Sequence, residues 1–181
     1  MKVLIDACAL FPTVLREIVI GAAGQGAFTP VWSARILEEW RHAAGKKSPQ
    51  DQAIAEVEIA TLRHAFPDAE VPESRETQLR LSLPDLDDIH VLTAAIDGGA
   101  GELLTLNVKD FPTRTLAREA VLLRQPDEFL LEIFHNDPKV MQEIVGNVLQ
   151  KAAHHGIKVS NPRAVLKRAR LPRLGKALYA S

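Results

Sequence analysis

The stretch PDLDDIHVLTAAI (84–96) sets Asp85, Asp87 and Asp88 within four positions at the front of an apolar, helix-periodic run. Acids suit a first helical turn, where the backbone amide dipoles present their positive end, so a solvated helix start is the simplest reading. Other acids fall at comparable places. Asp6 closes the apolar run KVLI, Asn107 and Asp110 lie just past the apolar run ELLTL, and Glu38 and Glu39 sit on a helix-periodic segment. Adjacent helix positions point about 100 degrees apart, so only one of Glu38 and Glu39 can face a common site. Carboxylates gathered within a few ångström raise one another's pKa and destabilise the fold unless a cation sits among them. Oxygen ligands with no accompanying His or Cys cluster select Mg2+ or Mn2+, and such centres hold substrate phosphate through the metal. The expected chemistry is hydrolysis of a phosphate ester.

That chemistry requires elements that bring distant acids to one edge. KVLID (2–6) reads as a buried first strand. Pro12 suits the first position of a helix that exits at Gly24 and Gly26, AFTPVW (27–32) suits a second strand, and Ser33 caps a helix through Leu37 and Trp40. Ser48 and Pro49 start another helix, running to the neighbourhood of Phe66 and followed by a connection rich in Pro and charge. Pro84 and Asp85 then serve as stop and cap for a helix whose Ile89, Leu92 and Ile96 form a core-facing stripe. GGAGELLTLN (98–107) supplies a strand, TRTLARE a short helix and AVLLR (120–124) a last strand. Strand and helix alternate, which predicts an α/β fold: a three-layer α/β/α arrangement around a central parallel sheet. In such sheets ligands bind at the carboxyl ends of the strands, where Asp6, Asn107, Asp110 and Asp88 are expected to meet. From QPDEF onward only helical periodicity remains, in two helices and a third started by Asn161 and Pro162. The expected division is residues 1–124 as the α/β domain and 125–181 as a helical extension.

The chain has 181 residues and a single cysteine, Cys8, so it can form no intramolecular disulfide and no multi-cysteine metal site. With no signal peptide and no apolar run of membrane-spanning length, a cytoplasmic protein is expected. The net charge of −1 hides an asymmetry: residues 1–143 carry 23 acids against 14 Lys and Arg, whereas residues 144–181 carry eight Lys and Arg and no acid. That basic tail suits a polyanion or an acidic partner, against the plainer reading of a solvated face.

The order LIDAC, EEW, PDLDDIHVLTAAI, LLTLNVKDFP resembles the PIN-domain ribonucleases and, within them, the VapC-type toxins of bacterial toxin–antitoxin pairs. The resemblance covers residues 1 to about 124, and the helical remainder looks like that of a subgroup with a C-terminal extension. It implies a metal-dependent endoribonuclease that takes RNA as substrate, pairs with an antitoxin protein and forms a homodimer. Matched by position, Asp6, Glu39, Asp88 and Asp110 form the family's acidic quartet, with Glu39 preferred to Glu38 because it precedes Trp40. Asn107 and Thr105 match assisting polar residues. The resemblance implies that Asp6, Asp88 and Asp110 hold one or two Mg2+ or Mn2+ ions, with Glu39 as ligand or as base toward the attacking water. This chain departs from the family pattern in having Cys8 where many relatives carry Asn or Ser, and Ile89 where relatives of the subgroup often carry Arg.

Other residues carry rival readings. Arg16 and His90 are candidate RNA contacts, against an ion pair with Glu17 for the first and half-buried packing for the second. Trp32 and Trp40 read as core rather than as base-stacking platforms, and Cys8 as a small buried apolar residue. Two rivals to the ribonuclease are a non-catalytic PIN-like module binding RNA or protein, and a phosphatase with Asp6 as nucleophile. The second is weakened because the DAC turn lacks a further aspartate.

Overall fold

The computed structural model of the chain describes residues 1–179. Among these, strands β1 Lys2–Ile5, β2 Thr29–Ser33, β3 Glu70–Val71, β4 Glu102–Leu104 and β5 Leu122–Arg124 form one parallel sheet in the order β3-β2-β1-β4-β5. The helices are α1 Ala7–Leu10, α2 Thr13–Gly24, α3 Ala34–Gly45, α4 Pro49–Ala65, α5 Arg75–Arg80 and α6 Ile89–Asp97. They continue with α7 Thr113–Arg118, α8 Pro126–Asn136, α9 Pro138–His154, α10 Pro162–Arg168 and α11 Pro172–Leu178. No helix among the described residues is long and apolar enough to cross a membrane.

The chain divides into two compact units that are not contiguous in sequence: Met1–Phe11 with Thr29–Arg124, and Pro12–Phe28 with everything from Gln125 onward. The first unit holds the sheet in a three-layer α/β/α arrangement. Its central strand β1 is an apolar run, and Val3, Leu4 and Ile5 are wholly buried, as a strand covered on both faces requires. Leu4 pairs with Val31 of β2 and with Leu103 of β4, so the three central strands end at one level. The following helices start where side chains accept from orphan amides: Ser33 Oγ from Ile36 N at 3.3 Å for α3, and Ser48 Oγ from Asp51 N at 3.0 Å for α4. Gly98, which ends α6, sits so close to Val31 and to the Ala94 carbonyl that a Cβ there would lie 2.8 Å from each.

The structure adds to the elements expected from sequence. The segment read as a plain connection after Phe66 contains β3 and α5, and the tail folds into one helix more than its periodicity announced, α11. Pro12 stands at the cap position, not inside the helix, and α2 begins at Thr13.

The second unit is helical. Helix α2 packs on α9, where Gly21 leaves room for Ile144, and Phe28 meets Phe129 of α8 edge to face with ring centroids 5.1 Å apart. The short α10 starts at Asn161, whose Oδ1 accepts from Ala164 N at 3.0 Å, with Pro162 in its first turn. Both oxygens of Asp127 on α8 take the first amides of α11, from Arg173 N at 2.9 Å and Leu174 N at 3.0 Å.

Candidate metal centre

The pairing of Ile5 with Leu104 sets the next residues of β1 and β4, Asp6 and Thr105, side by side at the carboxyl edge of the sheet. Thr105 is fully buried and Asp6 is 6 % exposed. Thr105 Oγ1 donates to Asp6 Oδ2 at 2.6 Å and itself accepts from Asn107 N at 2.9 Å. The thiol of Cys8, on the short helix that follows Asp6, donates to the same Oδ2 at 3.0 Å, and its sulfur accepts from Leu106 N at 3.2 Å. Cys8 is therefore no inert apolar filler, as its residue type suggested; it is part of the network that fixes Asp6. Burial, followed by the neighbouring Asp6 carboxylate, pushes its pKa up to about 12.

Facing this edge is the start of α6. Asp85 Oδ1 accepts from Asp87 N at 2.9 Å and so caps the short 3-10 turn Leu86–Asp88 from which α6 grows. Carboxylate oxygens of Asp85, Asp88 and Asp110 lie within 4.8 Å of one another. Burial, and then the charges of Asp6, Asp85 and Asp110, raise the Asp88 pKa to about 6, with His90 opposing. Asn107 Nδ2 donates to Asp88 Oδ2 at 3.3 Å. An octahedral ion with oxygen ligands at about 2.0–2.1 Å spans about 4 Å between opposite ligands, so the triad is within a small side-chain adjustment of enclosing one cation. The donors are all carboxylate oxygen, which suits Mg2+ or Mn2+.

Of the four expected acids, Asp88 and Asp110 stand in this triangle and Asp6 lies close enough to act on Asp88 by charge, while Glu39 is paired with His90 and Arg35. His90 Nε2 is 2.8 Å from Glu39 Oε1, and Arg35 Nε is 3.5 Å from the same oxygen. Glu38 points away, to Arg41 at 2.8 Å and His42 at 3.0 Å, and the bonds from Arg41 hold its pKa below the usual carboxylate range.

Sequence reasoning gave Asp85 only a capping role, yet it both caps and joins the triad. The signal was its three-residue spacing from Asp88, which places both on one side of a helical turn. Glu73 was missed altogether. Its Oε1 is buried 3.8 Å from His90 Nδ1, and both atoms lack a hydrogen-bond partner.

Both expected RNA contacts are buried. His90 is 2 % exposed and lies between two carboxylates, which leaves it no surface for a nucleic acid. Arg16 belongs to the other unit, on α2, and is 5 % exposed. Trp32 and Trp40 are core residues, and Trp32 packs edge to face on Phe66.

A family model described as the PIN domain matches residues 2–109, more than half of the chain. No curated protein and no solved structure matches it.

Proposed function

The chain belongs to the PIN-domain family, and from that premise we propose that it is an endoribonuclease dependent on Mg2+ or Mn2+, one or two ions, and the toxin of a type II toxin–antitoxin pair. The single observation that carries the nuclease reading is the meeting of Asp85, Asp88 and Asp110 at the strand edge beside Asp6, at a cost visible in the raised pKa of Asp88. A site that did nothing would be more stable without that repulsion.

Asp88 and Asp110, with Asp85 and Asp6 beside them, are the residues to hold the ion. When bound, it lowers the pKa of a coordinated water and neutralises charge on the phosphoryl oxygens. The protein's own groups do the rest. Thr105 and Cys8 both donate to Asp6 Oδ2 and so fix the carboxylate. Asn107 steadies Asp88. His90 and Arg35 engage one oxygen of Glu39, leaving the second to take the proton of the attacking water. Water oxygen bonds to phosphorus, the bond from phosphorus to the 3′ oxygen breaks, the departing 3′ oxygen takes up a proton from solvent, and the products carry 5′-phosphate and 3′-hydroxyl ends.

In the toxin reading, the protein acts in the cytoplasm as a homodimer and is silenced by a protein antitoxin laid across the acids. Purified protein is expected to cut labelled RNA with Mn2+ or Mg2+ and not in chelator, and Asp6→Asn and Asp88→Asn each to lower the rate at least about a hundredfold while the fold stays intact. Full activity in either variant would overturn the role assignment. Calorimetric Mn2+ uptake without cleavage of any RNA would return the chain to a non-catalytic binding module. Induced expression is expected to arrest cell growth, and Asp88→Asn to abolish the arrest.

A further inference from the structure

We infer that the α10–α11 hairpin is a binding surface for the phosphate backbone of single-stranded RNA. Its construction is rigid for so short a segment. Asn161 and Pro162 start α10, the chain turns at Arg170 with a positive φ of 66°, and Leu171 N closes the turn on Leu166 O at 2.9 Å. Gly175 lets α11 approach Leu166, since a Cβ there would lie 3.2 Å from the leucine's own Cβ, and Asp127 caps α11.

On this frame Arg163, Lys167, Arg168, Arg170 and Lys176, and on the segment that leads into it Lys158, are all exposed, and none makes an ion pair among the described residues. The other cations of the tail are accounted for: Arg173 lies 2.7 Å from Glu128, and Lys151 lies 3.8 Å from Glu17. Arg163, Lys167 and Arg170 recur at spacings of four and three, so they follow one line along α10 into the turn. Six unneutralised cations within nineteen residues repel one another and call for a polyanion.

The partner's class follows from what is not exposed. Protein interfaces are built on an apolar centre with a polar rim. Here Val165, Leu166, Ala169, Leu171 and Leu174 are all at most 8 % exposed, so these apolar side chains are spent inside the fold and the line of Arg163, Lys167 and Arg170 presents charge. A phosphate backbone needs no apolar centre, because its binding is driven by release of condensed counterions. The choice of RNA among polyanions rests on the nuclease reading above; the surface itself does not.

The test is the salt dependence of binding by the full chain. A fluorescein-labelled oligouridylate is titrated in chelator, which prevents cutting, between about 50 and 200 mM KCl, and anisotropy gives the slope of log K against log salt. Each phosphate neutralised on a single strand contributes about 0.7 to the slope, so Arg163→Gln/Lys167→Gln/Arg170→Gln is expected to lower its magnitude by about 2. The complementary set, Lys158→Gln/Arg168→Gln/Lys176→Gln, is expected to do the same, again by about 2. Unchanged slopes in both sets would overturn the inference. So would polyglutamate competing as well as unlabelled RNA, which would mark a surface for an acidic protein. Failure to cut RNA with Mn2+ while both sets still lose slope would sink the nuclease reading and leave this surface standing.

Discussion

Asp88 works against the stability of the fold that presents it. Its folded pKa of about 6 lies above the ordinary 3.8, so the folded state binds this proton more tightly than the unfolded chain does. The group therefore costs nothing below the unfolded value, and its cost grows as pH rises through about 6. In chelator, Asp88→Asn is expected to raise the melting temperature near pH 7.5, and the gain should vanish toward pH 4, where both forms are neutral. Melting curves of the two proteins across that range decide it; a gain independent of pH would assign the effect to packing. Cys8 makes a second residue-scale prediction. A thiol moved from 9.0 to about 12 has its thiolate fraction cut about a thousandfold, so reaction with a disulfide reagent near pH 8 should be slowed to that order in the native protein and restored on unfolding. Reaction at the unfolded rate would remove Cys8 from the Asp6 network. What the sequence disclosed at this scale follows a rule: acids that end an apolar run, as Asp6 does, or lie just past one, as Asp110 does, announce their place, because the run is a strand and its end is an edge. Glu73 follows no such run, and only the folded chain brings it beside His90.

At the scale of elements, the strongest constraint is the seat of Gly98 between α6 and β2. A methyl group there meets the fixed Ala94 carbonyl as well as Val31, so Gly98→Ala is expected to destabilise by about 1–3 kcal/mol, read from urea midpoints. A neutral result would mean that the helix can lift off the sheet. Asp127 caps a helix with both of its oxygens, and Asp127→Ala should cost about 1–2 kcal/mol, concentrated in α11. Hydrogen exchange would locate it: amides of α11 should lose protection while those of β1 keep theirs. Elements with their own periodicity and caps, α3, α4 and α6, were legible in sequence because local chemistry and tertiary burial agree in them. Strand β3 was not. It is two residues long, and its pairing of Glu70 with Trp32 and Val71 with Ser33 exists only once β2 is in place. Helix α5 is six residues with mixed charge, and what anchors it is Asp97 on a distant segment, which accepts from Thr77 Oγ1 at 2.8 Å and Ser74 N at 2.6 Å.

For the whole molecule the decisive quantity is the distribution of charge. The sequence pI of about 6.6 makes the chain nearly neutral near physiological pH, yet residues 144–181 carry eight cations and no acid while the rest carries an excess of acids. Copies in solution can therefore attract one another, acidic part to basic tail, with little net repulsion to oppose them. Light scattering near the pI should show association at low salt that reverses by about 0.3 M, where the Debye length is down to about 5–6 Å. Arg163→Gln/Lys167→Gln/Arg170→Gln should weaken that association. Scattering indifferent to salt would point to apolar contacts instead.

The parallel register that sets Ile5 against Leu104 has a consequence in time. Asp6 is synthesised about a hundred residues before its neighbour Thr105 and the triad member Asp110, a delay of many seconds on a ribosome. Until β4 and the turn after it are made, a fragment that already holds Asp6, Asp85 and Asp88 lacks both Thr105 and Asp110. A nascent chain short of Asp110 therefore carries an incomplete triad, and the completion of the centre follows the closing of the sheet.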